Sequence, residues 1–209
     1  MRKLALFGYS GHAYVVADAI SACGDQLVGY YEKEEAQVNP FGIPYLGYEQ
    51  DRDNLRLLKE QGVPGIVGVG ECSIREKVMS FLKNQGVALA QVIHPSAIVS
   101  GLTEIGEGTF VAAGVKVNAL AAVGAGVILN TGCIVEHECR IGDFAHIAPG
   151  AVLAGNVTVG EGSFIGANAV VKQGVRIGSN VLIGAGAVVL KDVPDDQTWV
   201  GNPAKEIVK

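Results

Sequence analysis

The spacing of aliphatic residues changes near the middle of this chain of 209 residues. In the first half, short apolar runs at 4–7, 27–31 and 65–70 predict strands. Between them, segments 55–61 and 74–84 predict helices, and so does a stretch with Val15, Val16, Ala19 and Ile20 on one face. Alternation of strands and helices predicts a small parallel α/β sheet within residues 1–92.

From residue 93 onward the aliphatic residues recur at every sixth position. A period of six fits neither a helix nor a plain alternating strand, but each group of six can supply one short strand and one corner. Three groups then form a triangular coil whose large aliphatic side chains point inward. This repeat predicts a β-helix over residues 93–209. Its positions are Ile93, Val99, Ile105, Val111, Val117, Val123, Leu129, Val135, Ile141, Ile147, Leu153, Val159, Ile165, Val171, Ile177, Ile183 and Val189.

Composition narrows the class of protein. The net charge is −5, and no basic run is present, so we expect no nucleic-acid partner. The apolar stretch at the N-terminus is too short for a signal peptide or a membrane span, so we expect no membrane insertion. The four cysteines are far apart and form no C-x-x-C pair, which is typical of a reduced cytoplasmic protein.

His137 is the first candidate for catalysis because Glu136 and Glu138 flank it on the outside of a coil. An imidazole can remove a proton near neutral pH, and a carboxylate can orient it. From the repeat alone, a general base and a solvated surface histidine remain equally open. The stack spacing of eighteen residues places Gly155 over His137, where its N–H could bind an oxyanion. His94, at the start of the repeat, has a structural role in this interpretation.

His146 lies nine residues after His137, which is half a coil away. The two side chains should therefore face different directions on one triangular prism. If both contribute to one site, a second subunit has to complete that site. This predicts that a monomeric variant is inactive.

The turn Ser10-Gly11-His12 follows the first predicted strand and enters a helix, so its free N–H groups could bind an anion. A tight strand–helix connection explains the turn equally well. The chain as a whole, however, resembles the NeuD/PglD group of sugar acyltransferases. The resemblance rests on segments 8–12, 69–70, 130–139, 145–146 and 200–205. That group contains N-acetyltransferases of UDP-4-amino-4,6-dideoxy sugars, relatives acting on GDP-perosamine, and sialic-acid O-acetyltransferases.

The resemblance implies a fold, an assembly and a set of roles. The fold is α/β plus β: a small N-terminal Rossmann-like parallel sheet followed by a left-handed parallel β-helix of hexapeptide repeats. The assembly is a homotrimer with active sites between subunits. By this resemblance His137 is the general base, and Glu138 is the acid that increases its basicity. The residues that the resemblance places near acetyl-CoA are His146, Ala167 and Ala185. The stack spacing of eighteen residues adds Gly155 to the cofactor-binding residues. The implied substrate-binding residues are Ser10, Gly11, His12, Glu32, Lys33 and Gly70.

One departure leaves the nucleotide open. Members of the group often carry two adjacent carboxylates after the second strand, whereas this chain has Glu32 and Lys33 there. Glu32 can still accept ribose hydroxyls. The base of the substrate, uracil in a UDP sugar or guanine in a GDP sugar, therefore stays undecided.

The leading prediction is an N-acetyltransferase that moves the acetyl group directly from acetyl-CoA to the amine of a nucleotide-linked amino-deoxy sugar. It needs no metal, and Cys133 and Cys139 are predicted to pack inside the coils. Three alternatives stay open: an O-acetyltransferase of sialic acid or a related sugar, a non-catalytic β-helical binding module, and a zinc hydratase of the γ-carbonic-anhydrase type. The last requires three converging histidines.

Overall fold

The computed structural model describes residues 1–51 and 54–207, without the side chain of Leu57. Residues 52, 53, 208 and 209, which belong to the two predicted domain ranges, lie outside the described residues. The N-terminal part contains a three-stranded parallel sheet in the order β2-β1-β3. Its strands are β1 (Lys3–Phe7), β2 (Gln26–Tyr31) and β3 (Gly65–Val67). The predicted parallel sheet is therefore confirmed.

Among the described residues three helices flank these strands: α1 (Gly11–Ala22), α2 (Arg56–Gln61) and α3 (Cys72–Asn84). Glu71 begins α3, because its side chain accepts hydrogen bonds from the backbone N–H groups of Ser73 and Ile74. The prediction for α1 was wrong about Val15, which is 41% exposed. The other three residues predicted for that face, Val16, Ala19 and Ile20, are buried, together with Ala13 and Ala17.

The second half is a parallel β-helix of about six turns. Its strands are mostly two residues long and begin every six residues from β4 to β20, after which β21 and β22 follow at other spacings. They are β4 (Val92–Ile93), β5 (Ile98–Val99), β6 (Glu104–Ile105), β7 (Phe110–Val111), β8 (Lys116–Val117), β9 (Ala122–Val123), β10 (Ile128–Leu129), β11 (Ile134–Val135), β12 (Arg140–Ile141), β13 (His146–Ile147), β14 (Val152–Leu153), β15 (Thr158–Val159), β16 (Phe164–Ile165), β17 (Val170–Val171), β18 (Arg176–Ile177), β19 (Leu182–Ile183), β20 (Val188–Val189), β21 (Thr198–Val200) and β22 (Lys205–Glu206).

From β4 to β20, strands eighteen residues apart pair in parallel and form three faces; β21 pairs in parallel with β19, and β22 pairs antiparallel with β21 at the end of face one. Face one contains β4, β7, β10, β13, β16, β19, β21 and β22; face two contains β5, β8, β11, β14, β17 and β20; face three contains β6, β9, β12, β15 and β18. The second residue of each short strand points inward, as the period predicted, and most of these aliphatic side chains are buried. Two-residue corners join the faces.

The two parts of the chain pack against each other over face one. Helix α1 contacts β4, and the rings of His12 and Phe110 meet edge to face with centroids 5.4 Å apart. Aliphatic residues of α1 and of the coils belong to one continuous apolar core. No helix among the described residues is both long and apolar enough to cross a bilayer.

Candidate active site

His137 and Glu138 form the corner between β11 on face two and β12 on face three. Nδ1 of His137 lies 3.0 Å from Oε2 of Glu138, and both side chains are about half exposed. The other flanking carboxylate, Glu136, accepts a hydrogen bond from Nδ2 of Asn118 at 2.7 Å. Of the two carboxylates beside His137, Glu138 is therefore the one that contacts its ring.

The backbone at Glu138 is unusual for a glutamate. Its φ is +61°, in the left-handed region, where the corresponding corner of the next two coils holds Asn156 and Gly174. A residue with a Cβ pays a conformational cost in this region, and asparagine and glycine pay the least. Leu120 has the same conformation, with a φ of +63°, at this corner of the preceding coil, so the left-handed backbone belongs to the repeat and fixes the direction in which the Glu138 side chain leaves it.

Gly155 occupies the same corner one coil further on, as its spacing predicted. A Cβ added to Gly155 would lie 2.5 Å from both Nε2 and Cε1 of His137, so only glycine lets the ring lie against the backbone here. The carbonyl of Gly155 accepts from the N–H of Gly174 at 3.0 Å. Its own N–H donates to no backbone carbonyl in the part of the chain that the structure describes, so this donor is available to a ligand.

His146 lies in a different environment, on face one beneath the N-terminal sheet. Its Nδ1 lies 3.0 Å from the carbonyl oxygen of Gly70, and its Nε2 lies 3.1 Å from Nδ2 of Asn130. These partners assign a neutral ring that donates from Nδ1 and accepts at Nε2. Burial lowers the pKa of His146 to about 4; the hydrogen bond to Gly70 opposes this shift and the nearby charge of Arg75 adds to it. His146 is therefore unprotonated at neutral pH.

His12 lies beside it, in the first turn of α1. The centroids of the His12 and His146 rings are 6.0 Å apart. Burial lowers the pKa of His12 to about 4, and the charges of His146 and Arg75 act in the same direction. Nε2 of His12 is buried without a hydrogen-bond partner in residues 1–51 and 54–207. A buried polar atom without a hydrogen-bond partner destabilises the folded protein. A ligand that forms a hydrogen bond with this atom would remove that destabilisation.

Arg75 supports this region and was missed by the sequence analysis. It is 1% exposed, and its guanidinium donates to backbone carbonyls of both parts of the chain. Nε donates to Gly126 at 2.7 Å, and a terminal nitrogen donates to Gly70 at 3.0 Å. Arg75 shares a buried stripe with Met79 and Leu82, so an arginine at an apolar helix position was the signal that could have revealed it.

We call His12, Gly70, Arg75, Asn130 and His146 the buried cluster. It borders a cavity of about 480 Å³. The cavity is lined by Gly70, Glu71, Cys72, His146, Phe164 and Leu182, among others. Gly70 was predicted as a substrate residue and His146 as a cofactor residue, and the structure brings the two into contact.

The residues predicted to hold the sugar nucleotide lie near the carboxyl ends of the strands in the three-stranded sheet. Ser10 precedes α1, Gly11 begins it, and a Cβ on Gly70 would contact the His12 side chain. Glu32 and Lys33 line a second cavity of about 190 Å³. Oε2 of Glu32 accepts from the N–H of Tyr9 at 3.0 Å, which ties this carboxylate to the same turn.

Within one chain the predicted cofactor residues do not come together. Ala167 and Ala185 lie at the corners between faces one and two, whereas Gly155 and His137 lie at the corners between faces two and three. His146 lies on face one. The expectation that His137 and His146 face different directions agrees with this arrangement.

The structure also bears on metal binding and on cysteine nucleophiles. No group of three or more His, Cys, Asp or Glu side chains among the described residues is arranged to hold a metal ion. Cys133 and Cys139 are both fully buried in the coils. Burial raises the pKa of the Cys133 thiol to about 12, so it stays protonated and packs as a small apolar side chain.

Comparison with known proteins identifies two familiar segments. Residues 3–82 match the family model of the PglD N-terminal domain, and residues 156–191 match that of the bacterial transferase hexapeptide with six repeats. UDP-N-acetylbacillosamine N-acetyltransferase of Bacillus subtilis is 35% identical over 114 residues, which are 54% of this chain and 52% of that protein. The chain thus spans about half the length of this curated relative.

Two solved structures match over nearly the whole chain. A variant of GDP-perosamine N-acetyltransferase from Caulobacter crescentus, in complex with CoA and GDP-perosamine, is 36% identical with a TM-score of 0.93 and covers 99% of this chain and 97% of its own. The acetyltransferase domain of PglB from Neisseria gonorrhoeae, in complex with acetyl coenzyme A, is 38% identical with a TM-score of 0.92 and covers 99% of each chain. The fold and repeats define the class of hexapeptide acyltransferases. Within that class, the chain belongs to the NeuD/PglD-type family of sugar acyltransferases.

Proposed function

We propose that this protein transfers an acetyl group from acetyl-CoA to the amino group of a nucleotide-linked amino-deoxy sugar, with His137 as the general base. The observation that carries the proposal is the exposed His137–Glu138 pair, with Nδ1 and Oε2 3.0 Å apart, lying against Gly155. A carboxylate on Nδ1 holds the ring proton on that nitrogen and leaves the lone pair on Nε2.

The reaction needs no further catalyst in this proposal. Nε2 of His137 accepts a proton as the amine nitrogen forms a bond to the thioester carbon. The free N–H of Gly155 stabilises the resulting oxyanion. The tetrahedral intermediate then loses CoA when its C–S bond breaks, and the imidazolium returns the proton to the thiolate. No acyl group is carried by the protein.

A second subunit completes the site in this proposal, and the outer surface of face two supports it. The outward residues of face two are mostly aliphatic, whereas those of face three are mostly polar or charged. On face two they are Ile98, Lys116, Ile134, Val152, Val170 and Val188; on face three they are Glu104, Ala122, Arg140, Thr158 and Arg176. Ile98 is 67% exposed and Val170 is 40% exposed, which favours their burial against another copy.

A threefold arrangement around face two would also bring the separated site residues together. Face two lies between the corners that carry His137 and the corners that carry Ala167 and Ala185. In a closed ring of three copies, the first set of corners of one copy meets the second set of the next. His137 would then face the cofactor residues of the partner subunit, and we propose a homotrimer on this basis.

The amino-sugar substrate is inferred from relatives and from the N-terminal cavity. The two solved relatives are N-acetyltransferases or acetyltransferase domains, and one of them was solved with a nucleotide-linked amino sugar. This chain retains an open cavity beside Glu32 and Lys33. A sugar nucleotide has a place to bind there, whereas free sialic acid has no nucleotide to fill it.

The test is acetyl-CoA turnover against UDP-linked amino sugars, GDP-linked amino sugars and sialic acid. We expect turnover with a nucleotide-linked amino sugar, and a loss of about 10²–10⁴-fold in kcat for His137→Ala, because general-base catalysis contributes about that much. The matched control is His94→Ala, which removes a histidine whose Nδ1 accepts from the Ser96 N–H. Turnover with sialic acid alone, or full activity of His137→Ala, would contradict the proposal.

A further inference from the structure

The smaller cavity of the N-terminal part carries information about the nucleobase. It has a volume of about 190 Å³, and its walls include the apolar side chains of Val69, Ile74 and Val78. Its polar lining contains two carboxylates, Glu32 and Glu49, together with Lys33 and Tyr48. Burial raises the pKa of Glu49, and the negative charge of Glu32 adds to the effect. No salt bridge among the described residues neutralises either carboxylate.

Glu49 lines this cavity and follows the segment that extends the sheet beyond β2. The turn before α1 follows the central strand β1, and Glu32 follows its neighbour β2. Residues 44–47 pair with the free side of β2, since the N–H of Leu46 donates to Tyr30 at 2.8 Å and the N–H of Glu32 donates to Gly47 at 3.1 Å. Glu49 therefore lies one segment beyond Glu32, counted from the turn before α1. In our proposal the diphosphate, the ribose and the base of the substrate follow the same order.

Each carboxylate oxygen of Glu32 already accepts a hydrogen bond from a backbone N–H group. Its Oε2 accepts from Tyr9 and its Oε1 accepts from Lys33, each at 3.0 Å. Each carboxylate oxygen has two lone pairs, so Glu32 can still accept the hydroxyls of a ribose. Glu49 is the acceptor that remains for the base itself.

A partly buried carboxylate such as that of Glu49 discriminates between nucleobases by the donors that they present. Guanine offers two adjacent donors, N1–H and the N2 amino group, which match the two oxygens of a carboxylate. Uracil offers one N–H between two carbonyl oxygens, and those oxygens would repel the carboxylate. Resting on the proposed function, we propose that the sugar substrate carries guanine, read by Glu49 between apolar walls, so that the protein acts on GDP-linked amino sugars.

Sequence similarity does not decide this point by itself. The relative named for GDP-perosamine is 36% identical and the relative named for a UDP sugar is 35% identical over its matched part. The donor pattern of the base is therefore the more direct criterion.

The test is calorimetric titration of the full chain with GDP, inosine diphosphate and UDP. Inosine diphosphate lacks only the N2 amino group, so it isolates one of the two predicted hydrogen bonds. We expect GDP to bind about 10-fold more tightly than inosine diphosphate and about 10²-fold more tightly than UDP, since a lost hydrogen bond to a charged group costs about that much. Equal or tighter binding of UDP would overturn the inference.

A pair of variants makes the test specific to Glu49. Glu49→Gln should reduce the GDP-to-UDP ratio to about 3-fold or less, because an amide offers one acceptor and one donor in place of two acceptors. Glu34→Gln makes the same charge change at an exposed glutamate and should leave the ratio unchanged. An unchanged ratio in Glu49→Gln would overturn the assignment of Glu49.

Acetyl transfer separates this inference from the proposed function. If the protein acetylates a UDP-linked amino sugar as well as it does the GDP-linked one, the proposed function stands and the inference about guanine fails. If GDP binds with the expected preference and no amino sugar is acetylated, the inference about guanine stands and the proposed function fails.

Discussion

His137 and His146 are nine residues apart, yet the fold gives them opposite surroundings. His137 lies at an exposed corner with a carboxylate on one nitrogen and a glycine against its ring. His146 is 7% exposed and has a partner on each nitrogen. The exposed ring has a free nitrogen that can exchange a proton with a substrate. The buried ring is held neutral and fixed, which suits contact with a ligand better than proton transfer.

The largest effect on stability should come from replacing Arg75, the arginine whose hydrogen bonds support the buried cluster. Arg75→Met leaves several buried carbonyls without a donor, so we expect a loss of about 3–5 kcal/mol in the free energy of unfolding. Arg56→Met removes an arginine from an exposed pair with Glu60 and should change stability by less than about 0.5 kcal/mol. Denaturant titration of both variants measures the difference; equal stability would show that Arg75 does not support the cluster.

A substitution at the exposed corner should lower the activity of the protein and leave its stability nearly unchanged. Gly155→Ala places a methyl group where the ring of His137 lies, and Gly155 does not require a positive φ. We expect kcat to fall by about 10²-fold, because a displaced base loses its alignment with the amine. The melting temperature should change little. Wild-type kcat in Gly155→Ala would rule out the predicted contact as a requirement for catalysis.

The two carboxylates beside His137 offer a matched comparison. Glu138→Gln removes the charge that contacts Nδ1, and we expect kcat to fall by about 10-fold or more because the imidazolium loses its stabilising partner. Glu136→Gln alters a carboxylate that contacts Asn118 and should leave kcat within about 2-fold. Steady-state kinetics of both variants measures this; the reverse order would assign the role to Glu136.

The smallest effect is on the pH dependence of stability. Because the pKa values of His12 and His146 are lowered to about 4, the unfolded chain binds more protons than the folded protein between about pH 6.5 and pH 4. Stability should therefore fall on acidification through this window, by on the order of 2 kcal/mol per histidine at pH 5. His12→Phe should reduce the slope in thermal unfolding between pH 7 and pH 5. An identical slope in His12→Phe would contradict the buried neutral state of His12.

The sequence predicted the β-helix because a period of six has one simple geometric solution. It also predicted the position of Gly155 over His137, since stacked coils keep a constant spacing. It did not predict Arg75, because the contacts of Arg75 join helix α3 to distant coils across the interface of two folded parts. It did not predict the pairing of Asn130 with His146 on neighbouring coils, because the repeat does not specify which polar side chains meet. The prediction placed Val15 on the same buried face as Val16 and was wrong about Val15. Adjacent positions on a helix point about 100° apart, so one of the two can face solvent while the other is buried. The choice between Glu136 and Glu138 needed the backbone conformation of the corner.

Mixing two inactive variants tests most directly whether the exposed corner of one subunit works with the cofactor residues of another. His137→Ala removes the base, and Ala185→Trp is expected to block the cofactor corner, so each variant should be inactive alone. After the subunits are dissociated and reassembled in equal amounts, about a quarter of the sites in random trimers should combine an intact His137 with an intact Ala185 of the partner. We predict recovery of about a quarter of wild-type activity; no recovery from stable mixed trimers would contradict a shared site.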